Sequence, residues 1–582
     1  MPKQKYFAIV IVLLVIMVVL FNLLAGNLVV QEGMHSPLYG KMEQEKGPAA
    51  RFLAKPGEQE QYAILCTDED SPHVKLTTKT LEYLHVTYRL YSALHDISEE
   101  TLRNLEAVIV TDDQWETLFN REELENFLNK RGAILFEELP SIPELRSNRY
   151  NELFGIVRIS GREPQKSVRF YDNILLTDQI YEDINLTGYD VKLAQSCKVY
   201  AQEFPKPEDG HWPDWSETIH YNPLIWRNYW NGGQIQIMNG NFMDDLYGMG
   251  ILAGILAEMP KISLTPIANV AMLSAAGFPS VQLYNSQHFQ EKYFRNSEQT
   301  MQDVVWPSLL SISSQTKLPL TAFWSPGIPG TEKEGILSQR DISFWLRDFS
   351  KHQLEMGISS YGSTAEQNQE ILEMLNHITE VDPNYYPTAC FISRSQPELT
   401  ENPLPVSGIT AVAEEFPREA PQDWGFRFAG EDLVVLPASS DTDAPTARDM
   451  LIFDSIASGF GYAHIMTDLS ILDGQENWNA ISKEIGMLTS HTVQAYPWLN
   501  RLPVSDGGAL VSRFLATDAE ITRQKTGISV TSSQPGMQFI FRCEYHISDI
   551  QGGTAKEIKE DIYLVTMQET EMNIDLVGVN FK

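Results

Sequence analysis

Three short stretches hold residues whose types and spacing could do chemistry. Glu355 to Ser363 read EMGISSYGS, with Ser359 and Ser363 four residues apart. Leu273 to Ser280 read LSAAGFPS, an apolar run that reaches Ala275 and Ala276 before a Gly-Phe-Pro turn. Gly459 to Gly474 read GFGYAHIMTDLSILDG, in which His464 and Asp468 are again four apart. A serine hydroxyl, an imidazole and a carboxylate are the parts of an activated nucleophile, the base taking the hydroxyl proton and the acid orienting the base. Ser359, His464 and Asp468 would make a hydrolase or esterase site if the fold brought them together. No Gly-x-Ser-x-Gly elbow accompanies them. The plainer alternative is a strand running into a turn, a polar loop, and a core histidine with hydrogen-bonded partners.

Elsewhere the chemistry is thinner. Cys66 ends an apolar run without a nucleophile frame and is expected to be a small buried residue. The turn in IMNGNFMDD could cradle an anion at a helix start, but Asp244 and Asp245 would repel it. Cys66, Cys197, Cys390 and Cys543 are far apart, which suggests neither a disulfide framework nor a zinc ribbon.

The elements that must position these residues follow from periodicity. Tyr6 to Leu24 is an almost purely apolar run, long enough as a helix to cross a bilayer. Lys3 and Lys5 precede it, so the expected topology is a single-pass anchor with a cytoplasmic N-terminus and an extracytoplasmic body. Residues 1–26 form this tip and anchor, and 27–59 a stalk without periodicity. From 60 to 260, short apolar runs such as YAILCTD and AVIVTDD alternate with helical patterns, which predicts a parallel α/β sheet. From 261 to 505, NVAMLS, PLTAFWS, QLEMGIS, TACFIS, LVVLPAS and GYAHIMT predict a distorted β/α barrel with functional groups at the strand C-terminal ends. From 506 to 582 the alternation in QFIFRCEYHI, EDIYLVTM and MNIDLVGVNF predicts a small β-rich module.

Residues 60–260 resemble, at the level of fold, the flavodoxin-like sheet of class I amidotransferase-like domains. Residues 262–500 resemble the NodB-type polysaccharide deacetylases, and more closely the membrane-anchored deacetylase-like proteins of Pel-type exopolysaccharide systems. The family's first motif is a strand ending FDDGPS, and Ala275 and Ala276 occupy its two aspartate positions. Its second is typically EIGNHTYSH. Glu355, Gly357 and Tyr361 match it in register, while Ser359 and Ser363 replace both histidines. GFGYAHIMTDLSILDG falls where such enzymes end a barrel strand, and His464 survives there with Asp468 following.

The resemblance therefore implies a degenerate metal site at Ala275, Ala276, Ser359, Ser363, His464 and Asp468. Such a deacetylase needs a divalent ion that acidifies bound water and polarises the acetyl carbonyl. Alanine has no donor atom, and a serine hydroxyl does not replace imidazole as a ligand. Losing the aspartate base also removes a proton acceptor worth roughly 10²–10⁴ in rate. The expectation is a pseudoenzyme with no metal and no cofactor that binds or guides a glycan among the membrane proteins of an exopolysaccharide assembly. Phe278, Tyr284, Trp306, Trp324, Tyr361, Trp424 and Trp498 are the candidates for stacking on sugar rings. Forty-four basic against seventy-seven acidic residues leave a net charge of −33, which disfavours nucleic acid and suits a cationic hexosamine polymer. An active hydrolase using non-standard residues and a protein-binding scaffold are the competing expectations.

Overall fold

The computed structural model describes residues 52–54, 58–112, 114–140, 150–204, 221–279, 286–325, 338–360, 364–393, 408–418, 420–429, 433–440, 445–472 and 475–578. The apolar run Tyr6 to Leu24 lies outside them. Among the described residues no helix is long and apolar enough to cross a membrane.

The first sheet contains nine strands: β1 (Tyr62–Leu65), β2 (Tyr88–Tyr91), β3 (Ala107–Val110), β4 (Ala133–Phe136), β5 (Ile156–Phe170), β6 (Ile180–Leu193), β7 (Lys198–Gln202), β8 (Pro223–Trp230) and β9 (Gly233–Met238). Their order is β2-β1-β3-β4-β9-β8-β7-β5-β6. The β2-β1-β3-β4-β9 half is parallel, as its buried apolar runs predict. The β9-β8-β7-β5-β6 half is antiparallel, an extension that strand-helix alternation could not disclose. The Tyr247–Glu258 helix follows and is buried along nearly its whole length. It packs on the Pro72–Tyr83 helix and on a barrel helix, Ala447–Phe460.

Strand β10 (Ile262–Ile267) leaves the first domain but does not enter the barrel. It pairs antiparallel with a strand near the C-terminus, Ile262 opposite Cys543 and Ile267 opposite Gln538. The C-terminal module is therefore two four-stranded sheets, one of which borrows β10. Leu264, Val530, Phe539, Phe541, Val565 and Ile574 share its core.

In place of a closed barrel the next unit is an open, half-barrel sheet, called the barrel below, with strands β11 (Val270–Phe278), β12 (Leu320–Trp324), β13 (Glu355–Ser360), β14 (Ala389–Ile392), β15 (Ala411–Glu414), β16 (Arg427–Phe428), β17 (Val434–Pro437) and β18 (Tyr462–Asp468). They run in the order β16-β17-β15-β14-β13-β12-β11-β18, parallel except for β16. Because successive side chains alternate faces, Val270, Met272 and Ala276 join one core, with Phe323, Phe391, Ala413 and Leu436. Ala271, Leu273 and Ala275 join another, beneath the outer helices. The Val504–Ala516 helix, expected in the C-terminal module, packs instead on β11, β15 and β17. A Cβ on Gly507 would lie 2.4 Å from Met272 Sδ, and one on Gly508 would lie 2.8 Å from Ala411 Cβ, so the helix backbone fits against the strands only without side chains there.

Candidate functional site

In a parallel barrel the strand C-terminal ends carry the chemistry, and here they bring together part of the predicted set. β11 and β18 run in parallel register with Ala276 opposite Asp468 and Met272 opposite His464. Ala276 belongs to the inner core and Ala275 to the outer one, so the two alanines point to opposite faces of the sheet. Only Ala276 can face the barrel interior. Ser359 is fully buried near the end of β13, and its hydroxyl donates to the Trp324 carbonyl at 2.8 Å. Ser363 lies outside the described residues.

His464 stands four residues before Asp468 on the same strand, about 13 Å lower at roughly 3.3 Å per residue. It is fully buried, and its partners are elsewhere. The Ser274 hydroxyl lies 2.8 Å from Nε2, the Leu436 carbonyl 3.1 Å from Nδ1, and the backbone N–H donates to Ser439 Oγ at 2.9 Å. A carbonyl only accepts, so Nδ1 carries the proton and Nε2 accepts from Ser274. β17 and β18 share no ladder, and His464 joins these two strands together with the Ser439 N–H on the His464 carbonyl and the Tyr462 hydroxyl on Pro437. It is a seam residue. Burial pushes its imidazole down to about 4, which keeps it neutral.

Asp468 is also occupied, accepting from the Ser470 backbone N–H at 2.8 Å and from its hydroxyl at 2.7 Å. Ser359, His464 and Asp468 therefore form no nucleophile-base-acid chain. Glu355, the first residue matched to the deacetylase motif, sits at the opposite end of β13. It accepts from Thr321 at 2.7 Å, from Thr388 at 3.2 Å, and from the Ser505 N–H at 3.2 Å. Its carboxylate holds the start of the Val504–Ala516 helix, where the helix dipole favours negative charge.

The stacking candidates are mostly closed into cores. Phe278, Trp306, Trp324, Trp424 and Trp498 are all buried. Phe278 and Trp306 pack against each other and against Trp345, and Trp306 Nε1 donates to Asp348 at 2.5 Å. Trp424 Nε1 donates to the Ala438 carbonyl at 2.8 Å. None of these five leaves an open face for a sugar ring, because the aromatic-rich layers beneath the strands absorb them. Tyr284 and Tyr361 lie outside the described residues. All four cysteines are free, with Cys66 buried and its thiol pushed up to about 11 by burial. Among the described residues no group of three His, Cys, Asp or Glu side chains is placed to share a metal ion.

Two buried acidic centres had no sequence signal. Asp454 accepts from the Tyr181 and Tyr496 hydroxyls at 2.7 Å and lies 2.6 Å from His491 Nε2, a satisfied network joining β6 to two barrel helices. Glu137, after β4, accepts from Thr77 at 2.6 Å, and burial raises its carboxyl to about 7. Beside it, His73 Nε2 lies 2.8 Å from Asp244.

The chain is a multidomain α/β protein in which a mixed nine-stranded sheet, a barrel-like parallel sheet and a β-rich C-terminal module are packed together. The chain superposes on the crystal structure of Agd3, a carbohydrate deacetylase, with a TM-score of 0.52 at 12% identity, covering 90% of this chain and 99% of that one. At this identity the likeness is one of fold, and activity does not follow from it. Partial matches to the GH42 β-galactosidase Gan42B (TM-score 0.23, 13% identity, 36% of this chain and 32% of that one) and to a ThuA-like protein from Bacteroides uniformis (TM-score 0.23, 15% identity, 31% and 79%) are too weak to define a shared fold. No protein-family model matches the chain. No curated protein sequence matches it either.

Proposed function

We propose that the chain is a membrane-anchored, extracytoplasmic pseudo-deacetylase that binds or guides a glycan within an exopolysaccharide assembly of Pel type. The observation that carries this is the inward-facing Ala276, opposite Asp468 at the rim of a deacetylase-type barrel. A methyl group stands there where the resemblance places a carboxylate, and the Ser359 hydroxyl, two strands away on β13, is spent on a backbone carbonyl. Asp468 is turned to Ser470. The net charge of −33 favours a partly deacetylated, cationic polymer, and the Tyr6 to Leu24 run supports the anchor.

The test is twofold. Purified protein should bind chitosan oligomers in a saturable, salt-sensitive manner, and it should release no acetate from acetylated hexosamine oligomers supplied with Zn²⁺ or Co²⁺. One equivalent of tightly held metal with acetate release would establish the active-enzyme alternative. Absence of any oligosaccharide binding would leave the scaffold alternative.

A further inference from the structure

A cleft of about 350 Å³ opens where the antiparallel half of the first sheet meets the C-terminal sandwich, and none of its lining residues belongs to a barrel strand. Arg542 of the sandwich lines it at only 7% exposure. Its Nε–H has no hydrogen-bond acceptor among the described residues, and the Glu258 carboxylate stands off at 3.8 Å. Arg227 of β8, in the first sheet, also lines it, and its Nε–H is buried without an acceptor among the described residues. Both Nε–H groups are closed off from solvent, and Arg542 Nη2 already donates to the Asn173 carbonyl at 3.4 Å, so a molecule in the cleft meets the two guanidinium groups through their outer Nη–H donors.

The remaining groups narrow its chemistry. The Arg227 guanidinium lies between two rings, 5.5 Å from the Tyr200 centroid and 5.0 Å from that of Tyr229, which is 55% exposed. Lys198 pairs with Asp172 at 3.4 Å, and both line the cleft. The walls thus present cations matched by carboxylates. A simple anion would face Glu258 and Asp172, and a simple cation would face the guanidinium groups. A polyhydroxylated neutral molecule satisfies both sets, because each hydroxyl donates and accepts. Its apolar ring face can lie on the exposed Tyr229. The volume is within the roughly 300–1,000 Å³ of small-ligand clefts.

We propose that this inter-domain cleft is a binding site for a neutral saccharide unit, with Arg227, Arg542 and Glu258 reading its hydroxyls and Tyr229 supporting its ring. It is separate from the barrel and does not depend on the barrel having a ligand.

Calorimetric titration of the whole protein with cellobiose and N,N′-diacetylchitobiose, and with glucuronate, glucosamine and inorganic phosphate as charged comparisons, tests this. Expected is saturable binding of at least one neutral disaccharide, weakened tenfold or more in Arg227→Gln and in Tyr229→Ala, with unchanged thermal unfolding of both variants. Arg542→Gln is a third variant, informative if it folds. Hydrogen-exchange protection on binding should fall on residues 227–229, 258–261 and 542–544. The proposal is overturned by no binding of either disaccharide at millimolar concentration, by binding of charged probes alone, or by affinity unchanged in both Arg227→Gln and Tyr229→Ala. Protection confined to the ends of β11 and β18 would also overturn it while leaving the barrel proposal intact.

Discussion

The Ser274 hydroxyl on β11 donates to His464 Nε2 on β18 across 2.8 Å, in the sealed interior of the barrel. With Nδ1 donating to the Leu436 carbonyl on β17, the imidazole spans three strands of which two share no ladder. A serine beside a neutral imidazole is the start of a nucleophile, but no solvent reaches this pair.

The pair sets a pH dependence. His464 is held at about 4, below the ordinary 6.5. Between those values the unfolded chain takes a proton that the folded chain refuses. Stability present above pH 6.5 is therefore lost as the pH falls towards 4, by about 3 kcal/mol. Thermal unfolding of His464→Asn across pH 4–8 should show a shallower acid slope than the unmodified chain. Ser274→Ala should cost about 1–3 kcal/mol at neutral pH by leaving Nε2 without a donor.

Glu137 acts in the opposite sense. Its carboxyl is raised to about 7 from 4.5, chiefly by burial, with the Thr77 hydroxyl and the His73 charge opposing the shift. From pH 4.5 to 7 the folded chain keeps a proton that the unfolded chain releases, so stability falls as the pH rises through this window. Glu137→Gln should remove that loss and raise stability at pH 8 by up to about 3 kcal/mol. Equal unfolding temperatures for the two proteins at pH 8 would contradict it.

Glu355 fastens the helix that packs against the inner face of the barrel. Replacing it with alanine strips an acceptor from Thr321, Thr388 and the Ser505 N–H, and should cost about 2–3 kcal/mol. Glu355→Gln keeps most of the geometry and should cost about 1 kcal/mol. Hydrogen exchange should quicken first in residues 504–516.

Gly250 marks where the first domain meets the barrel. A Cβ there would lie 2.0 Å from the Ser455 carbonyl oxygen, so Gly250→Ala must push apart the helices Tyr247–Glu258 and Ala447–Phe460. The expected loss is about 3 kcal/mol. Gly486, in the Gln475–Ala495 helix, has open space around its Cβ position. Gly486→Ala should instead stabilise by roughly 0.5–1 kcal/mol. Thermal melts of the two variants should move in opposite directions.

The sequence by itself determined the local elements. Apolar runs such as YAIL, AVIV, LTAFW and YAHIMTD become strands because side-chain period and burial are written in adjacent residues. It also determined that alanine and serine stand near the strand ends, since residue types need no fold to be known. The AVAE strand, β15, escaped notice because a four-residue run of two alanines, a valine and a glutamate carries little periodicity. Tertiary structure decided everything that depends on a distant partner. β10 joins a strand some 270 residues away because an antiparallel mate was open there. Ala275 and Ala276 look equivalent in sequence, yet the pleat turns one to each face. His464 found Ser274 and Leu436 rather than Asp468 because four residues along a strand is a long distance, whereas a neighbouring strand is only about 5 Å away. Phe278, Trp306, Trp324 and Trp498 were taken by the core under the outer helices and Trp424 by the inner one, since close-packed layers need large apolar side chains to fill them.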